Sequence, residues 1–173
     1  RIGKSTLLEL LQQGEELPAE ALMIASYGLR EYYYNTDKEV EGIEFFSNLI
    51  RERSRTGQGD DEQMANLLNQ LQILKYSLKQ YESAENDLLR AISLVPENAV
   101  YHYNLALIYE RVGRREDWEA VIDRMMLLEG LGEKHLRHMM KAYREFGRED
   151  DARKVEMMLV RLVEVDPSER SLE

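Results

Sequence analysis

Apolar residues return at every third or fourth position along almost the whole chain. Between Asn98 and Val112, Tyr101, Leu105, Ile108, Tyr109 and Val112 form one stripe, and Gly113 ends it. A second stripe follows in Trp118, Val121, Ile122, Met125 and Leu128, closed by Gly130 and Gly132. The pattern predicts a helix, a glycine turn and a second helix. Leu71, Leu105 and Met139 stand 34 residues apart, and so do Tyr109 and Tyr143, Gly113 and Gly147, and Ala84, Trp118 and Ala152. A two-helix unit repeating at that interval predicts an all-α solenoid of stacked, antiparallel helix pairs.

An earlier unit, carried by Leu29, Tyr33, Gly42, Phe46 and Leu49, fits the same template once eight extra residues are allowed. The Gly- and Asp-rich stretch 57–64 matches that excess and is expected to be a loop insertion. Four units are thus expected at about 23–56, 65–98, 99–132 and 133–166. An N-terminal helical segment (1–22) precedes them, with a short helix from Thr6 to Gln13 and Pro18 opening the next. A tail (167–173) follows, and Pro167 leaves room for a last helix one turn longer than its counterparts.

The run Tyr81-x-x-Ala84-x-x-x-Leu88-x-x-Ala91-x-x-x-x-Pro96, followed by Asn104-Leu105-Ala106-x-x-Tyr109 with Gly113 and by Ala142-Tyr143-x-x-x-Gly147 with Ala152, resembles the tetratricopeptide repeat family. The small alanines let paired helices approach, and Pro96 stops the second helix. The resemblance implies a right-handed solenoid of about four units whose first helices line a concave groove, and a non-enzymatic binding module. Trp118 departs from it. In the slot of Ala84 and Ala152 it requires the third pair to splay or the indole to turn outward.

Composition narrows the chemistry. The 173 residues carry 23 Lys and Arg against 33 Asp and Glu, a net charge of −10 that repels nucleic acid and anionic lipid. No apolar run approaches the roughly 20 residues that cross a bilayer, so direct membrane insertion is not expected. The absence of cysteine excludes disulfides and thiolate chemistry. Gly3-Lys4-Ser5-Thr6 imitates the end of a phosphate-binding loop without the upstream glycine or strand. Thr6-x-x-Glu9 reads instead as a helix capping box. His135 and His138 lack spaced partners for a metal, and no nucleophile–base set is present, so neither metal, cofactor nor catalytic residues are expected.

Positions off the packing stripe of each first helix repeat as Ile24, Asn66, Val100, Lys134; Tyr27, Asn69, Tyr103, Arg137; Glu31, Ile73, Leu107, Lys141; and Tyr34, Tyr76, Glu110, Arg144. The groove they imply is polarised. Tyrosine, amide and aliphatic groups come first, and the cations Lys134, Arg137, Lys141 and Arg144 come last. It suits an extended peptide with apolar anchors and an acidic stretch or free C-terminal carboxylate. Asn104 and Lys134 match two places of the carboxylate clamp known in the family. His138 and Gln70 depart from it, which leaves the general peptide groove.

The alternative is a structural assembly part, either a homo-oligomer or an internal segment of a longer array. The helix from Asp150 to Val165 is apolar nearly all round, with Met157 and Val160 left over for self-association. A secretion-type chaperone is a further alternative, since some are small acidic proteins of this fold.

Overall fold

The computed structural model describes residues 4–12, 18–128 and 131–164. Among them are nine helices and no strand: α1 (Lys4–Gln12), α2 (Ala19–Asn35), α3 (Glu39–Thr56), α4 (Asp61–Ser77), α5 (Tyr81–Leu94), α6 (Ala99–Val112), α7 (Arg115–Met125), α8 (Glu133–Glu145) and α9 (Glu149–Glu164). From α2 onward they pair as α2/α3, α4/α5, α6/α7 and α8/α9, with α1 packed on α2 through the buried Leu7 and Leu11. The tail 167–173, Gly3 and Gly130 lie outside the described residues.

The turns follow from local chemistry. Gly113 and Gly147 adopt φ of 75° and 73°, left-handed values that cost a side chain, and the chain reverses there. Asn98 caps α6 by accepting from the Val100 N–H at 3.0 Å, and Asp60 caps α4 by accepting from the Gln63 N–H at 2.8 Å.

That second cap changes the picture of 57–64. Only 57–60 form a turn, and 61–64 already belong to α4. Set in register with α5 and α6, α3 is one turn longer at its end and α4 one turn longer at its start. The eight extra residues are thus absorbed as two helical turns around a short bend. Asp61 and Glu62, which resemble loop residues by composition, complement the dipole of the lengthened α4. Thr6 also differs from expectation. It lies inside α1, whose first residue is Lys4, and therefore does not cap it.

The core runs the length of the stack: Leu29 and Phe46, then Leu68, Leu74 and Leu88, then Ile108 and Ile122, then Met139 and Tyr143. The alanines expected at close approaches, Ala84 and Ala152, are fully buried. Trp118 does not turn outward. Its indole is buried edge-on against Tyr143 and Phe146, with centroids 6.1 and 4.9 Å away. The α5 and α6 backbones pack closely, whereas α7 and α8 approach each other less and large side chains fill the junction.

Candidate functional site

Of the four first helices, α2, α4, α6 and α8, the first three are tied to one another by polar side chains. Between α2 and α4, Ser26 Oγ lies 2.8 Å from Asn66 Oδ1, and Arg30 Nε donates to Gln70 Oε1 at 3.2 Å. Asn104 Nδ2 on α6 donates to Asn69 Oδ1 on α4 at 2.8 Å, and Gln72 Nε2 reaches the same oxygen at 3.2 Å. Buried amides need partners: Gln70 finds one in Arg30, and Asn69 accepts from both Gln72 and Asn104. The two family-clamp positions in this ladder, Gln70 and Asn104, are therefore occupied by internal bonds.

The expected groove residues separate into two groups. Tyr27 and Tyr34 on α2 are open to solvent at 55% and 48% exposure, Ile24 lies beside them, and Val100 is exposed on α6. Arg30 stacks its guanidinium over the Tyr27 ring at 4.6 Å. Asn66 and Tyr76 are half-buried, and Tyr76 packs edge-on against Tyr81 at 5.4 Å.

Asn69 and Tyr103 are buried, so neither is a free anchor. Tyr103 retains only 6% exposure because His135 and His138 of α8 close over it, with centroids 4.7 and 5.4 Å away. Burial, and secondarily Glu110, raises the Tyr103 hydroxyl above its ordinary pKa. Burial, then Lys134, lowers His135, which as a neutral ring accepts from the Gly132 N–H at 3.1 Å and caps α8. Those two histidines serve packing and capping. Among the described residues no grouping of His, Asp and Glu could hold a metal ion.

The cationic strip of α8 is exposed, as its spacing requires, but it is not left open. Arg137 pairs with Glu133 at 2.7 Å, Lys141 with Glu145 at 3.6 Å and Arg144 with Glu156 at 3.4 Å. Lys134 lies over the Tyr103 ring at 6.0 Å. Exposed pairs of this kind are worth about 0.2–1 kcal/mol each, little enough for an incoming carboxylate to compete. The i, i+4 acids Glu133 and Glu145 were visible in the sequence and signal this neutralisation.

On α9, Met157 and Val160 are exposed at 56% and 49%. They stand 34 residues after Asp123 of α7 and Met126, which caps that helix. In that earlier unit Asp123 accepts a hydrogen bond from Tyr143 of α8 at 3.0 Å, and Met126 packs against the core. The counterpart Met126 is thus partly buried and Asp123 stays exposed while bonding α8, whereas Met157 and Val160 are both open to solvent.

A stack of antiparallel helix pairs whose first helices are cross-linked by side chains is a helical solenoid. Residues 74–113 match the family model of the TPR repeat, and the chain has the fold of a solenoid of such helix pairs. Solved structures share the fold at low sequence identity. MamA 41-end from Desulfovibrio magneticus RS-1 is 16% identical with a TM-score of 0.66, over 95% of this chain and 86% of that one. BtubC (BKLC) from P. vanneervenii is 15% identical with a TM-score of 0.68, over 94% and 70%. A putative kinesin light chain with nearly identical TPR-like repeats from Podosopora anserina is 13% identical with a TM-score of 0.63, over 92% and 84%. No curated protein matches the chain.

Proposed function

We propose that the chain is a non-enzymatic scaffold whose first-helix face binds an extended segment of a partner protein. The observation that carries this reading is the open row Ile24, Tyr27 and Tyr34 on α2, beside the amide ladder of α4. Aromatic rings with a polar edge, held on a rigid helix, are the side chains that dominate peptide interfaces. Tyr76 extends the row onto α4. Asn66 offers an amide toward a bound backbone, whereas Tyr103 and Asn69 support the surface from beneath. Lys134, Arg137, Lys141 and Arg144 would exchange their intramolecular acids for acidic groups, or a C-terminal carboxylate, on the partner.

The test is a peptide selected on the full chain from a displayed library and measured by fluorescence anisotropy. Tyr27→Ala and Tyr34→Ala should each weaken it about 5- to 100-fold, the range for truncated anchors. Val40→Ala, an exposed control on α3, should leave affinity unchanged. Arg137→Glu with Lys141→Glu should weaken binding and flatten its salt dependence. Wild-type affinity in both tyrosine variants would refute the reading.

Met157 and Val160 favour a second reading, in which the chain is also an assembly part that covers α9 with another copy. Light scattering over a concentration series tests it, and Met157→Glu with Val160→Lys should convert a dimer to a monomer. A monomer at every concentration excludes the homo-oligomer.

A further inference from the structure

The face opposite the first helices carries a cleft of about 410 Å³ between α3 and α5, floored by α4. Its wall includes Ser47, Arg51 and Ser54 from α3, Lys75 from α4, and Asp87 and Arg90 from α5. Two departures from the repeat meet there. The first is ionic. Tyr33, Tyr109 and Tyr143 occupy one register position, and Phe45, Val121 and Val155 occupy another. Tyr33 and Phe45 touch across these positions, with centroids 6.4 Å apart. In the second unit alone the same two places hold Lys75 and Asp87, with Nζ 2.5 Å from Oδ2 and both side chains nearly buried.

The first unit fills this place with a ring contact, and the third and fourth place tyrosines there whose hydroxyls donate to Glu85 and Asp123, so only the second unit sets a desolvated ion pair in it. Burial raises the Asp87 carboxyl above the ordinary carboxylate range, against the opposing pull of Lys75 and Arg90. A nearly buried pair of this kind is weak evidence for a stabilising role.

The second departure is the extra turn of α3, which brings Ser54 to the rim of the cleft. Arg51 forms no ion pair or hydrogen bond among the described residues, and the charge that Arg90 meets is the already paired Asp87. Three cations against one carboxylate leave an excess of two positive charges in a chain whose net charge is −10.

We infer that this cleft is a binding site for a phosphomonoester. Arg51 and Arg90 would grip its oxygens as planar forks, and Lys75 would be shared between Asp87 and the ligand. A phosphomonoester carries roughly −1.5 to −2 at neutral pH and three acceptor oxygens, which matches the charge and the density of donors. Asp87 holds the Lys75 ammonium in place while the site is empty. The inference does not depend on the first-helix face.

The ¹⁵N-labelled full chain, titrated separately with inorganic phosphate, O-phosphoserine and serine, tests it. Saturable shifts in the amides of 47–54 and 87–90 with the phosphorylated probes, and none with serine, are expected. Equal affinity for phosphate and phosphoserine would assign the free ion. Tighter binding of a phosphoserine peptide would assign a protein-borne group. Arg51→Gln with Arg90→Gln, both exposed and away from the core, should weaken binding about tenfold or more. Lys75→Tyr with Asp87→Val, which restores the pattern of the other units, should abolish binding while circular dichroism stays helical. Absence of saturable shifts in the parent chain, or undiminished affinity in the arginine variant, overturns the assignment.

Discussion

Replacing Trp118 by alanine sets the repeat pattern against the packing. Its register position holds Gly42, Ala84 and Ala152 in the other units, so the pattern alone would make Trp118→Ala harmless. The structure says otherwise. The side chain is fully buried and meets both Tyr143 and Phe146 edge-on. A buried tryptophan removes about 150–250 Å² from water, worth roughly 4–6 kcal/mol at 25 cal/mol per Å². Measured Trp→Ala losses of about 3–5 kcal/mol agree with that range. The two aromatic contacts add about 0.5–1.5 kcal/mol each. Against this, the indole N–H is buried without a partner, and deleting it recovers about 1–3 kcal/mol.

The net loss should be about 4–5 kcal/mol, seen as a fall of roughly 8–20 °C in Tm for a chain of this size. Because α7 and α8 meet mainly through large side chains, the loss should be local. Hydrogen exchange should accelerate in α8 and α9 well before α4 and α5. Trp118→Phe, which keeps an edge-on ring and deletes the orphan donor, should cost much less. A Trp118→Ala chain as stable as the parent, or one destabilised evenly along its length, would refute the reasoning.

Gly42→Ala should destabilise by about 1–3 kcal/mol in urea unfolding despite alanine's better helix propensity. A Cβ there would stand 2.7 Å from Leu74 Cδ1 and 2.8 Å from the Tyr33 ring, so a neutral or stabilising result would count against this close approach. Stability should also respond to His135. Its pKa is lowered below 6.5, so its contribution is complete above the unfolded value and is lost as pH falls through the folded one. Thermal unfolding between pH 7.5 and 5 should show this acid loss in the parent, and His135→Ala should flatten it.

The period and the glycine turns made the architecture legible, because both are local requirements of the backbone. Gly113 and Gly147 need left-handed φ wherever they occur, and a stripe of apolar residues three or four apart buries one face whatever the neighbour. The 57–64 stretch was harder to read because Asp and Glu suit a loop and a helix N-terminus equally well. The Asp60 cap, visible only with the backbone in place, decides for the helix. Groove exposure was legible only in part for a different reason. Tyr27 and Tyr103 occupy the same register position, yet what covers Tyr103 is a pair of histidines about 30 residues downstream. Register places a side chain on a face, and the adjoining unit determines whether that face is open.

The same reasoning locates where a repeat protein diverges from mere stacking. One slot holds nothing at Gly42, where a Cβ would meet Leu74 and Tyr33, a fully buried methyl at Ala84 and Ala152, and at Trp118 an indole packed edge-on against Phe146. Those differences are explained by packing. Lys75 and Asp87 are not: they replace an aromatic–apolar pair with charges that must be desolvated, beside two arginines that packing does not require. Within one chain the other units serve as internal references. A departure that fills space belongs to the fold, whereas a departure that costs desolvation and leaves charge uncompensated points to a ligand.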